Sequence, residues 1–277
     1  MSKSQNQRYL WWTIFSAGLR APTPTVLALV VVLVALSLFF GVRSAGQTSA
    51  QSTVLGGWTT PLVLWMTLTG LLLTFRRWRG NRFRARYRDG LQSPDSSTVI
   101  AVIDQNFAVA RGRKDVDASL ALDRGLARLI YGELDGAKRE LNAVRWEQRA
   151  PLVQGYGASL ASYICLFGTG ELEAGLAAAR RAQELTQLGS WPGAASWRAY
   201  FETGVVLAEV LNGHASAGAL TRLEQTAATT QHPVQRLFTL YGLSVAARRA
   251  GDAAKAREFQ QTIQREAPHC RALIIPD

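Results

Sequence analysis

The sequence has few of the residues on which catalysis and metal binding depend. Its 277 residues include three histidines and two cysteines, and the cysteines, Cys165 and Cys270, are far apart. No CxxC pair occurs, so neither a disulfide framework nor a cysteine zinc site is predicted. Nucleotide-binding, nucleophile-elbow and zinc-protease motifs are also missing. The sequence therefore predicts a protein that is not an enzyme, with no cofactor, no metal and no small-molecule substrate.

Acidic residues are missing from the first 88 positions, which contain eleven Lys and Arg residues; the first acid is Asp89. Residues 89–277 contain twenty basic and twenty acidic residues, so the net charge of +11 arises entirely before Asp89. A nucleic-acid-binding domain would carry its basic excess on the folded part. No nucleic-acid partner is therefore expected.

Two apolar runs, residues 26–42 and 54–75, contain no charged residue. The seventeen residues of the first run would span about 26 Å as a helix, close to the roughly 30 Å hydrocarbon core of a bilayer. With the polar segment 1–25 before them and the loop 43–53 between them, they predict a two-helix transmembrane hairpin. The alternative for the first run is a cleavable signal peptide.

The positive charges predict the orientation of this hairpin. Three Lys or Arg residues precede the first run, one lies in the loop, and seven follow the second run. Positive residues stay on the cytoplasmic side. Both termini are therefore expected in the cytoplasm of an integral membrane protein. The Arg- and Ala-rich composition indicates a bacterial chain, and hence the inner membrane.

The segment 76–97 joins the second apolar run to the rest of the chain. Its first part, residues 76–88, is the arginine tract; residues 89–97 read as a linker because they are rich in Gly, Pro, Asp and Ser. The tract is a topology signal, a helix on anionic lipid headgroups or, as a third option, an RNA-binding segment. Its arginines are Arg76, Arg77, Arg79, Arg82, Arg84, Arg86 and Arg88.

Residues 98–277 predict an all-α domain. Val99, Ile103 and Phe107, with Ile100, recur with the spacing of one helix face, and Ser96 or Ser97 is a suitable N-cap. Four glycine-marked turns follow, at Gly132, Gly170, Gly213 and Gly251, spaced 38, 43 and 38 residues apart. A period in this range is typical of stacked helix pairs.

The turns carry a resemblance to the tetratricopeptide repeat family. In that family a small residue precedes the turn glycine, another follows it by five positions, and a proline ends the second helix. The resemblance implies an α–α superhelix of about four repeats over residues 118–268 that binds proteins; an irregular helical bundle is the alternative. The matching residues are Gly125, Gly132 and Ala137, then Gly170, Gly175 and Ala182, then Gly213 and Gly218, and finally Gly251, Ala256 and Pro268.

The resemblance also implies a partner-binding groove along the first helix of each repeat. The predicted lining is mostly apolar, so either an amphipathic helix of a partner fills it or the chain fills it with residues 99–107 or the tail 272–276. Transferred by register, the candidate groove consists of Leu122, Leu126, Leu129, Ile130, Leu160, Ile164, Phe167, Tyr200, Leu207, Val210, Phe238, Tyr241, Arg248 and Arg249.

These features together predict a membrane-anchored scaffold or adaptor that presents a repeat domain to protein partners at the cytoplasmic face. The alternative is a structural or regulatory subunit of a membrane complex, in which the transmembrane helices make the main contacts. The three histidines form no spaced ligand set, and His214 and His232 are expected to face solvent.

Overall fold

A computed structural model describes residues 53–110, 112, 115–188, 194–214, 216–230 and 232–274. Every regular element within these ranges is a helix, which confirms the all-α prediction. Short 3-10 turns and one π-helical turn, Cys165–Thr169, complete the described secondary structure. The ten α-helices are α1 Thr53–Leu91, α2 Ser96–Phe107, α3 Val116–Ile130, α4 Leu134–Asn142, α5 Pro151–Ile164, α6 Leu172–Gln187, α7 Ala194–Asn212, α8 Ala217–Thr229, α9 Pro233–Arg249 and α10 Ala253–Glu266.

The prediction of a transmembrane hairpin is wrong where the structure can be compared with it. Among the described residues, no helix is both long enough and apolar enough to cross a membrane. The second predicted span lies in α1, whose apolar residues are interrupted by threonines and Gly70 and are followed in the same helix by the arginine tract. The first predicted span, 26–42, lies outside the described residues, as do the segment 1–25 and the loop as far as residue 52.

This finding also contradicts the location that depended on the hairpin. An integral position in the inner membrane, with the N-terminus and the helical domain assigned to the cytoplasmic side, required two spanning helices. The described part of the chain contains none.

Helix α1 belongs to two compact units. Its residues 53–82 lie in one unit, and residues 83–91 lie in a second unit with the remainder of the described chain. In the first unit, Trp65, Leu73 and Trp78 are largely exposed. In the second unit, Tyr87 and Leu91 are buried. The linker predicted over 89–97 therefore begins as the last turn of a helix.

The helix predicted around residues 99–107 is confirmed as α2. Val99, Ile103 and Phe107 are buried on one face, as the spacing predicted. The N-cap is Asp95 instead of Ser96 or Ser97, because the Asp95 carboxylate accepts a hydrogen bond from the backbone N–H of Ser97 at 2.9 Å.

The four predicted turn glycines all have the left-handed backbone conformation, with φ between 74° and 84°. This conformation is accessible to glycine because it lacks a Cβ atom. After three of them the next backbone N–H bonds a carbonyl five residues back, which closes a Schellman turn. After Gly170 the acceptor is six residues back, because the π-helical turn adds one residue. The bonds are Glu133 N to Arg128 O, His214 N to Glu209 O, Asp252 N to Ala247 O, and Glu171 N to Cys165 O, each 2.9 to 3.0 Å.

Small residues follow these turns where the second helix of each pair crosses the first. Ala137, Gly175 and Ala256 are buried at the predicted spacing. A Cβ atom on Gly175 would come within 2.6 Å of the Leu166 side chain. In the third pair Gly218 is exposed and Ala219 is buried, because α8 begins four residues after its glycine while the other second helices begin two residues after theirs.

The first helices of the four pairs, α3, α5, α7 and α9, share one core. The ring of Phe238 lies 4.6 Å from that of Tyr163, and the ring of Tyr156 lies 4.5 Å from that of Trp197. Helix α9 also contacts α3, and the C-terminal 3-10 turn Arg271–Leu273 contacts both. The fourth pair is therefore packed back against the first.

Substitution by alanine is expected to destabilise the protein at a turn glycine and to stabilise it at a glycine inside a helix. Gly251→Ala places a Cβ at φ 79° with no atom within 4 Å, so only backbone strain of about 1–2 kcal/mol opposes it. Gly204→Ala lies inside α7, also with nothing within 4 Å, and is expected to stabilise by about 0.5–1 kcal/mol. Urea unfolding of both variants measures these changes. A Gly251→Ala protein as stable as the wild type would contradict the turn assignment.

Candidate interaction surface

The candidate groove lies mostly in the core of the second unit. Nine of its fourteen side chains are buried, so they contact each other and the rest of the chain instead of solvent. This arrangement agrees with the alternative in which the chain fills its own inner face. The buried members are Leu122, Leu126, Leu129, Ile130, Leu160, Ile164, Leu207, Val210 and Phe238.

Both internal segments that were considered for this role contribute to the same core. From α2, Val99 and Ile103 are fully buried. From the C-terminal segment, Cys270 and Leu273 are fully buried, while Ile274 is 41% exposed. The last two residues of the predicted tail 272–276 lie outside the described residues.

Hydrogen bonds attach the end of α1 to the first and last helix pairs. The Tyr131 hydroxyl, after α3, donates to the carbonyl oxygen of Gly90 at 3.3 Å or of Ser93 at 3.0 Å. The Gln92 amide donates to the carbonyl oxygen of Glu266, at the end of α10, at 3.0 Å. These contacts hold the first and fourth pairs together on the side where α1 enters.

The remaining candidate groove residues lie at the rim. Phe167, Tyr200 and Tyr241 are half-buried, and Arg248 and Arg249 are exposed. The Arg249 guanidinium donates to the carbonyl oxygens of Val210 at 2.6 Å and of Leu211 at 2.8 Å, and so caps the C-terminus of α7. Arg249 therefore connects the third and fourth pairs.

The arginine tract is helical throughout, as part of α1. Arg82, Arg86 and Arg88 are exposed, and the guanidinium carbon of Arg82 lies 5.3 Å from the centre of the Trp78 ring. Such stacking orients a guanidinium without neutralising it. The choice between the three interpretations of the tract stays a prediction.

A polar cluster lies among the first helices, and sequence reasoning missed it. Asp123 of α3 is partly exposed, yet burial of the carboxyl group raises its pKa to about 7. Burial, followed by the charge of Asp123, raises the pKa of Tyr87 well above its ordinary value. Burial also raises the pKa of Tyr200, with a smaller contribution from Asp123. From hydropathy alone, a single acidic residue on a mostly apolar helix is predicted to face solvent. The sequence pattern therefore gave no indication of this cluster.

His232 was expected to face solvent, and its side chain is partly exposed. It is the N-cap of α9, where its Nδ1 accepts a hydrogen bond from the Gln235 backbone N–H at 3.5 Å. Burial lowers the pKa of His232 to about 4, so the ring is neutral at pH 7.

Cys270 is buried, which raises the pKa of its thiol to about 12. No group of three or more His, Cys, Asp or Glu residues in the described ranges is arranged to hold a metal ion.

Comparisons with protein-family models, with curated proteins and with solved structures find no match to this chain.

Proposed function

We propose that this protein is an interaction scaffold built on tetratricopeptide-like helix pairs. The observation that supports the proposal is the turn that recurs at Gly132, Gly170, Gly213 and Gly251 with one backbone conformation. Stacked helix pairs expose long edges to partners while their inner helices form the core. The chemistry-bearing motifs that an enzyme would need are missing from the sequence.

The partner surface that we assign is the rim where the first helices end. Phe167 and Tyr241 lie there with ring centres 5.3 Å apart. Burial raises the pKa of Tyr241, and the charges of Arg248 and Arg249 at the end of the same helix lower it. Aromatic residues and arginine dominate the binding energy of protein interfaces. A partner helix with apolar and acidic side chains matches this rim.

A quantitative crosslinking pull-down from the native cell tests this assignment. The double variant Tyr241→Ala/Arg248→Glu is expected to recover at least tenfold less of the partner than the wild type, because losing about 1.4 kcal/mol reduces affinity tenfold. Lys138→Glu changes the charge of an exposed residue on α4 and serves as the control. Equal recovery by the double variant and by Lys138→Glu would contradict the rim assignment.

The same pull-down tests a second candidate function, in which the chain is a subunit of a larger complex that contacts its neighbours through α1. The observation in favour is that Trp65, Leu71, Leu72 and Leu73 are all exposed large apolar residues. Leu73→Ser, at a side chain 60% exposed, would then abolish recovery while the rim variant retains it.

A further inference from the structure

Helices α7 and α8 enclose a groove on the surface of the second unit. Its volume is about 240 Å³, which is room for about eight water molecules at roughly 30 Å³ each. Its lining includes Val206 of α7 and Leu223 of α8, both of which are buried apolar residues. One turn of a partner helix, about 10 Å wide and 5.4 Å long, would not fit this volume. The groove therefore suits a small molecule with an apolar body.

Two side chains of opposite charge line this groove, Glu202 from α7 and Arg222 from α8. Both are exposed, and neither makes a hydrogen bond or ion pair with a described residue. They are not paired with each other, because no Arg222 nitrogen lies within 4.0 Å of a Glu202 carboxylate oxygen. The other two glutamates of these helices, Glu209 and Glu224, each form an ion pair, at 3.3 Å and 2.7 Å. The groove thus contains a free carboxylate and a free guanidinium group.

Uncharged hydrogen-bonding groups are also free in the groove. The hydroxyls of Thr203 and Thr229 each donate to the carbonyl oxygen four residues back in the same helix, at 2.8 Å. The half-buried Thr226 makes no such bond, and the Gln225 side-chain amide has no hydrogen-bond partner in the part of the chain that the structure describes. Both side chains are therefore available to a polar group of a ligand.

We propose that this groove binds a small zwitterion with an apolar body, of the chemical class of the amino acids. The Arg222 guanidinium binds the carboxylate of the ligand, for which its planar set of donors is suited. The Glu202 carboxylate binds the ammonium group, and the apolar body lies over the base of the groove. A zwitterion uses both free charges, whereas an anion or a cation uses one. The groove shares no residue with the partner rim, so its ligand is independent of the scaffold function proposed above.

NMR titration of the full chain, followed by its backbone amide signals, tests the proposal. The zwitterion is 6-aminohexanoate, and its singly charged analogues are hexanoate and n-hexylammonium, which share its carbon chain. Saturable binding of 6-aminohexanoate is expected to shift the signals of the residues that line the groove. It is expected to bind about three- to fivefold more tightly than either analogue, because an ion pair with an exposed side chain contributes little.

Two variants remove one charge each and give opposite patterns. Glu202→Gln is expected to weaken 6-aminohexanoate and n-hexylammonium about three- to fivefold, without weakening hexanoate. Arg222→Gln is expected to weaken 6-aminohexanoate and hexanoate to the same extent, without weakening n-hexylammonium. A purely structural role of either residue would change the binding of all three molecules alike. Glu173→Gln, at an exposed carboxylate of α6 outside the groove, is the matched control and is expected to stay within twofold of the wild type.

L-Leucine distinguishes two sources of the zwitterion. Tighter binding of leucine than of 6-aminohexanoate supports the proposal and assigns adjacent charges, as in a free α-amino acid. The reverse order supports it and assigns separated charges, as at the two ends of a short peptide.

Three results would overturn the proposal. One is the lack of saturable binding of either zwitterion to the wild type. Another is a zwitterion that binds no more tightly than hexanoate and n-hexylammonium. The third is equal binding of the tighter zwitterion by the wild type, Glu202→Gln and Arg222→Gln.

Discussion

Asp123→Asn is expected to stabilise the protein by about 2–4 kcal/mol at pH 8 and to leave its stability nearly unchanged at pH 3. Burial raises the pKa of this carboxyl group from 3.8 to about 7 in the folded state. An acid with a raised folded-state pKa favours folding below its unfolded pKa, and this contribution is lost as the pH rises through about 7. Asparagine has no charge to bury, so the variant avoids the loss. Urea unfolding at intervals from pH 3 to pH 8 measures the difference.

His232 provides the control with the opposite sign. Its pKa is lowered by burial from 6.5 to about 4, so its contribution to stability is fully present above pH 6.5 and is lost as the pH falls through 4. Between pH 4 and 6.5 the two residues act in opposite directions, and the wild type should show a shallow dependence. In Asp123→Asn the histidine acts alone, and stability should rise with pH over this range. A variant that follows the wild-type curve at every pH would show that Asp123 is ordinarily solvated.

Phe238→Ala is expected to reduce the free energy of unfolding by about 3–5 kcal/mol, the usual cost of removing a buried aromatic ring. Phe238 is 1% exposed, and its ring lies 4.4 Å from that of Phe167 and 4.6 Å from that of Tyr163. It joins α9 to α5 and the π-helical turn, so the cavity would open where the first helices meet. Urea unfolding followed by circular dichroism measures the loss.

Phe259→Ala is the matched control for this prediction. Phe259 lies on α10, is half-buried, and has the Lys255 ammonium 5.9 Å from its ring centre. Its replacement should cost about half as much, because less apolar surface leaves water when it packs. Equal costs at the two positions would show that Phe238 is not at the centre of a shared core.

The repeat was predictable from sequence because its signal is local. A left-handed residue at a helix end favours glycine whatever surrounds it, so Gly132, Gly170, Gly213 and Gly251 could be aligned without knowledge of the fold. The small residues Ala137 and Ala256 followed from the same register. The third pair differs, because the connection between Gly213 and α8 is longer. The buried small residue is therefore Ala219 and not Gly218, which the register predicted.

Long-range packing explains what the sequence could not supply. Leu160 and Leu207 could line an open groove or lie in a core, depending on how strongly the array of helix pairs curves. The residues of a single repeat do not determine this curvature. The desolvation of Asp123 depends equally on helices that are distant in the chain. The apolar run 54–75 misled the membrane prediction. In the structure it belongs to α1, where threonines and Gly70 interrupt its apolar residues and the arginine tract follows in the same helix.

The contact of α9 with α3 has a consequence for how this chain can vary in length. An open array of helix pairs can gain or lose a unit at its end, because the new terminal unit needs only one neighbour. Here the last pair is also a neighbour of the first, and the Gln92 amide is bonded to carbonyl oxygens at the end of the last helix. An added pair would have no free end to join, and a deleted one would leave two uncovered faces. Closure therefore opposes a change in the number of pairs, because an inserted or deleted unit would have to break the contact of α9 with α3.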